Sequence, residues 1–156
     1  MDRSSEEGEV VQAARVVLAS PRALFRAFLD PETMAGWRAF DGVDLAFSAL
    51  NARIGGGYRI RIRSLTGALG PALPGTLDLA VEFVELVGEE RIVEAIRVVT
   101  DDPNLAGSMT LTTTFEPDRD GTKVTFQARG GPAFVDADKQ AEILAASLRK
   151  LALLTE

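Results

Sequence analysis

The chain contains neither cysteine nor histidine in its 156 residues. Without cysteine there is no disulfide and no thiolate nucleophile. Without histidine the commonest general base near neutral pH is gone, and with it every histidine-dependent dyad or triad. An ordinary zinc site has no ligands to be built from, and neither a metal nor a cofactor is expected. Any catalysis would rest on carboxylates, lysine, arginine, tyrosine or hydroxyls. Long apolar runs are also missing: none approaches the roughly 20 residues of a membrane span. The opening Met1-Asp2-Arg3-Ser4-Ser5-Glu6-Glu7 is too polar for a secretory signal, so a cytoplasmic location is expected. Basic residues are outnumbered, with a net charge of −6, which argues against nucleic acid as a partner because polyanion affinity comes from clustered lysine and arginine.

What is present, 46% hydrophobic and 26% charged residues, is ordinary for one soluble domain large enough to bury a core. Residues 1–8 read as a disordered tail, charged and without apolar periodicity, and residues 9–156 as a single domain. The β-branched run from Glu9 to Ala19 predicts a strand. Ser20 then offers an N-cap and Pro21 a first helical position, with Leu24, Phe25 and Phe28 at helical spacing. A short helix to Leu29 follows. Asp30-Pro31 repeats the start signal for a second short helix carrying Met34 and Trp37, ended by a turn at Asp41-Gly42.

The pattern then switches to period two. Val43, Leu45 and Phe47 form one alternating stretch, and Tyr58, Ile60 and Ile62 alternate with Arg59, Arg61 and Arg63, whose row faces solvent. Gly55-Gly56-Gly57 is no phosphate loop, because neither Lys-Ser/Thr nor a helix follows. Further strands run from Thr76 to Val87, Arg91 to Val99, Ser108 to Phe115 and Thr122 to Arg129, with reversals at Gly88-Glu89-Glu90 and at Asp118 to Gly121. The uncharged loop 65–75, with three leucines, either marks a contact surface or folds onto its own sheet.

From Phe134 to Leu154, Ala137, Ala141, Leu144, Leu148, Leu151 and Ala152 recur at steps of three and four, the apolar stripe of an amphipathic helix. Asp136 or Asp138 can cap its start, and Arg149 and Lys150 stand near its end. Hairpin connections make the sheet antiparallel, and its apolar face needs this helix as cover. The fold class is α+β, a curved antiparallel sheet of about seven strands with two short helices after strand one and a long C-terminal helix across it.

This order resembles the helix-grip fold of the START-like superfamily. Ala19-Ser20-Pro21 through Leu24-Phe25-Arg26-Ala27-Phe28, then Asp30-Pro31-Glu32 and Gly36-Trp37, resembles the opening of proteins similar to the C-terminal domain of the heat-shock-protein-90 ATPase activator. Gly55-Gly56-Gly57-Tyr58, Glu90-Arg91, Gly121-Thr122-Lys123-Val124 and the closing Ser147-Leu148-Arg149-Lys150-Leu151 extend the likeness over residues 10–153. Members often have a proline pair where Gly88-Glu89 stand, aromatic residues where Glu94 and Ile96 stand, and Gly-Trp where Ile143-Leu144 stand. These departures alter the pocket rather than the fold.

The resemblance implies an apolar cavity between sheet and long helix, holding a small hydrophobic or amphipathic molecule. Its walls would come from Phe28, Ile60, Leu79, Val81, Ile92 and Ile96, together with Met109, Leu111, Phe126, Leu144 and Leu148. Trp37, Phe40, Phe47 and Tyr58 would line its mouth, where indole N–H and phenol O–H fix a polar end. Loops 65–75, 100–107 and 130–135 would form the entrance. Glu94 shares a strand face with Ile92 and Ile96. An unpartnered carboxylate there would be costly and raised in pKa; otherwise the face meets solvent or an arginine pairs with it. The alternatives are an enzyme of the polyketide cyclase or dehydratase kind, with Glu94 or Tyr58 as acid or base, and a co-chaperone-like interaction module using loop 65–75. A monomer or a homodimer is expected.

Overall fold

The computed structural model describes residues 10–38, 43–64, 75–103, 105–130 and 137–156. In chain order the elements are strand β1 (Val10–Val17), helices α1 (Pro21–Ala27) and α2 (Pro31–Arg38), strands β2 (Val43–Ser48), β3 (Gly57–Ser64), β4 (Thr76–Val87), β5 (Arg91–Val99), β6 (Ser108–Asp118) and β7 (Gly121–Gly130), and helix α3 (Ala137–Thr155). The strands form one seven-stranded sheet in the order β1-β7-β6-β5-β4-β3-β2. Every pairing is antiparallel. The chain thus runs strand by strand back across the sheet from β2 to β7, and β1 joins the far edge.

Register puts the apolar alternates on one face. Tyr58 lies opposite Val81, Ile60 opposite Leu79, Glu94 opposite Phe83 and Leu111, and Thr113 opposite Phe126. A register shift between Phe83 and Glu85 bends β4 and adds to the curl. The opposite face carries the arginine row. Arg59, Arg61 and Arg63 are exposed, and Arg61 and Arg63 pair with Asp78 and Asp44 at 2.9 Å.

Helix α3 buries Leu144, Ser147, Leu148, Leu151 and Ala152 and packs on β1, α1 and α2. Full burial of Leu148 or Leu151 contributes roughly 1.5–3 kcal/mol each. Ser20 caps α1 as its sequence position predicts, its Oγ accepting the Ala23 N–H at 3.1 Å. Helix α2 touches both β2 and α3, so its last residue, Arg38, is carried to the inner side of the sheet.

Several boundaries differ from the sequence reading, with β1 ending at Val17 and α1 at Ala27 rather than at Ala19 and Leu29. Strand β6 continues to Asp118 and β7 starts at Gly121, because Pro117 still pairs with Thr122, leaving only Arg119-Asp120 as the turn. Helix α3 runs to Thr155, so Arg149 and Lys150 stand upstream of its last turn, which holds no basic residue. The proposed caps reduce to Asp138, already inside the first turn, since Asp136 lies outside the described residues. Outside them as well are the tail 1–8, the Asp41-Gly42 turn and most of loops 65–75 and 130–135. Among the described residues no helix is long and apolar enough to cross a membrane.

Candidate functional site

Glu94 is fully buried in the middle of β5. A carboxylate in that place must be partnered or it destabilises the fold. Among the described residues it has two partners. Arg38 donates from Nη2 to Glu94 Oε1 at 2.9 Å, and the Tyr58 hydroxyl donates to Glu94 Oε2. Arg38 closes the ring by donating from Nη1 to the Tyr58 oxygen at 2.5 Å. An arginine does pair with Glu94, one of the alternatives its strand position leaves open.

The guanidinium is also sandwiched among rings, 4.9 Å from the Trp37 centroid, 5.5 Å from Phe28 and 5.8 Å from Tyr58. Its side chain is 10% exposed. Burial works against the charge of Arg38, but Glu94 and then Tyr58 outweigh it and hold the guanidinium above its ordinary pKa. Burial pushes the Tyr58 hydroxyl well above the ordinary phenol range; Arg38 opposes that shift and Glu94 reinforces it. At neutral pH Tyr58 is therefore a neutral donor held on a carboxylate.

Beside this cluster lies a cavity of about 150 Å³ between sheet and α3. Arg38 lines it, with Trp37, Leu45, Ile60, Ile62 and Leu79 from α2, β2, β3 and β4, and Met109, Leu111 and Phe126 from β6 and β7. Ile143, Leu144 and Ser147 of α3 cover it. Ile143 and Leu144 thus both line this space. A wider concavity of about 640 Å³ between α1, α2 and the end of α3 is lined by Ala23, Arg26, Leu29, Asp30 and Leu154 among others. Its charged groups belong to exposed Arg26 and Asp30 rather than to a buried cluster.

Of the residues expected to wall a cavity, Trp37, Ile60, Leu79, Met109, Leu111, Phe126 and Leu144 are brought together here. The others sit elsewhere. Phe28 packs in an aromatic cluster, 4.6 Å from Trp37, 5.5 Å from Phe115 and 6.0 Å from Phe126. Phe47 lies against the Tyr58 ring at 5.9 Å. Val81, Ile92 and Leu148 are buried in the core, with Ile96 partly buried against it. Phe40 lies outside the described residues. Neither polar tip expected to hold a ligand is free for it, because the Trp37 indole donates to the Ala27 carbonyl at 2.9 Å and the Tyr58 hydroxyl donates to Glu94. Among the described residues the charged group lining the cavity is Arg38, which sequence reasoning missed. One arginine at the end of a short helix carries no local signal for such a role. Leu45, Ile62, Ile143 and Ser147 were also missed, although the alternation of Leu45 with Phe47 and of Ile62 with Ile60 was signal enough for the first two.

The family model described as "Activator of Hsp90 ATPase homolog 1-like protein" matches residues 18–156. Among solved structures, protein CV1439 from Chromobacterium violaceum is 29% identical and superposes with a TM-score of 0.82 over 94% of this chain and 96% of its own. Protein Mll3558 from Rhizobium loti is also 29% identical, with a TM-score of 0.70 over 93% and 95%. Protein Ms6760 from Mycobacterium smegmatis, at 14% identity and a TM-score of 0.69 over 94% and 90%, shares the fold. No curated protein matches the chain.

Proposed function

The chain belongs to the family of Activator of Hsp90 ATPase homolog 1-like proteins, and from that premise we propose that it binds a small amphipathic molecule between the sheet and α3. The apolar body of the ligand lies against Ile60, Leu79, Leu111 and Leu144, and its polar end meets Arg38. One observation carries this reading: a charged side chain, held in place by Glu94 and Tyr58, lines a cavity that is otherwise apolar among the described residues except for Ser147. A few placed polar groups in an apolar concavity are what orient a ligand. At about 150 Å³ the space is below the roughly 300–1,000 Å³ of ordinary drug-sized sites. The ligand is correspondingly small.

The cyclase-like reading draws less support. Both Glu94 oxygens are engaged and Tyr58 holds its proton tightly, which suits positioning Arg38 better than exchanging protons with a substrate.

Native mass spectrometry of the purified chain, organic extraction and a thermal-shift screen of small aromatic and aliphatic compounds test the proposal. A retained molecule, or a saturable shift changed by Arg38→Gln, is the expected result. An empty protein that responds to nothing in the screen would remove it.

A further inference from the structure

The cavity and its one charged lining residue together restrict the ligand further, resting on the binding reading above. We infer that the site takes an uncharged molecule of about one substituted ring that presents a hydrogen-bond-accepting oxygen, such as a ketone, ester or amide, to Arg38, and that it rejects carboxylates and amines. Size comes from the volume: an engineered apolar cavity of about 150 Å³ elsewhere takes a benzene.

The charge preference comes from the ring of three side chains. Arg38 and Glu94 are one cation and one anion at 2.9 Å, and Tyr58 between them is neutral at ordinary pH. Among the described residues the others lining the cavity bear no charge, and Ser147 adds only a hydroxyl. Counting Glu94, buried behind Arg38, the described part of the site is neutral in sum while Arg38 lines the cavity. A carboxylate placed on Arg38 would bring a second anion to a cation already matched by Glu94. An amine would meet the guanidinium with like charge and offer no acceptor. A carbonyl oxygen accepts from Arg38 and adds no charge. Two of the five guanidinium N–H groups serve Tyr58 and Glu94, which leaves donors for a ligand.

The test uses the full chain and four probes of similar size: acetophenone, ethylbenzene, benzoate and benzylamine. Binding is read at neutral pH from thermal shift and from the fluorescence of Trp37, the one tryptophan, which forms part of the cavity wall. Acetophenone is expected to bind tightest, ethylbenzene about tenfold more weakly for want of a charge-assisted hydrogen bond, and the two ions about a hundredfold more weakly. Glu94→Gln removes the matching anion, so in that variant benzoate should overtake acetophenone. If the variant fails to fold, the wild-type order still decides. Benzoate equalling or exceeding acetophenone on the wild-type chain would overturn the charge preference and leave ligand binding standing. A larger retained molecule with no response to these probes would overturn the size class alone, whereas silent probes and an empty protein would overturn both readings.

Discussion

Arg38, at the end of a short helix, and Glu94, 56 positions further on in the middle of a strand, meet at 2.9 Å beneath the sheet. Neither is tolerable there without the other. Glu94→Ala should therefore cost about 3–5 kcal/mol, because it strands a buried guanidinium. Arg38→Met combined with Glu94→Leu should cost much less, since the pair's attraction is offset by the desolvation of both ions. Urea unfolding of the two single variants and the double variant, read as a cycle, measures the coupling. A Glu94→Ala cost no larger than that of a surface change, about 0.5 kcal/mol, would contradict this account.

Tyr58 is the one tyrosine of the chain, so phenolate absorbance reports it alone. Burial raises its pKa above the unfolded value, so the folded state holds the proton longer. The sign follows: stability linked to Tyr58 is fully present below about pH 10, the ordinary phenol value, and is lost as pH rises from there through the folded pKa. Phenolate absorbance should appear only with unfolding, and Tyr58→Phe should flatten the alkaline limb of the urea midpoint. Phenolate forming in folded protein near the ordinary value would argue against the buried hydrogen bond to Glu94.

Gly57 opens β3 so close to β4 that an added Cβ would stand 1.8 Å from the Val81 carbonyl oxygen. At Gly88, in the β4–β5 turn, nothing lies within 4 Å. Gly57→Ala is expected to destabilise by more than about 2 kcal/mol and Gly88→Ala to stay within about 0.5 kcal/mol. Equal midpoints for the two would mean that β3 does not approach β4 as described.

Leu144, on the inward side of α3, lines the cavity. Leu144→Trp should fill that space, abolishing probe binding while the midpoint stays within about 1.5 kcal/mol of wild type, since the added atoms replace a void rather than overpack a filled core. Undiminished probe binding in a folded variant would place the ligand elsewhere.

The Thr113 hydroxyl is buried without a hydrogen-bond partner among the described residues. Thr113→Val keeps the shape and removes the orphan group, so it should stabilise by about 1 kcal/mol. A loss of stability on chemical unfolding would mean that the hydroxyl has a partner.

The order and type of the elements were legible in local chemistry alone. Ser20-Pro21 starts α1, alternation marks the strands, and the spacing of Leu144, Leu148 and Leu151 turns one side of α3 inward. The sequence also put Glu94 on the same strand face as Ile92 and Ile96, by period two, while leaving open whether that face was buried. Only the tertiary structure decided what Glu94 meets. Its partners come from α2 and β3, and no short-range pattern encodes a distance between elements so far apart in the chain. The same holds for the cavity. Leu79, Leu111 and Leu144 each read as ordinary core, and whether they close on one another or leave about 150 Å³ open depends on how far α3 stands from the sheet, a distance set by the sum of the packing and by no single residue.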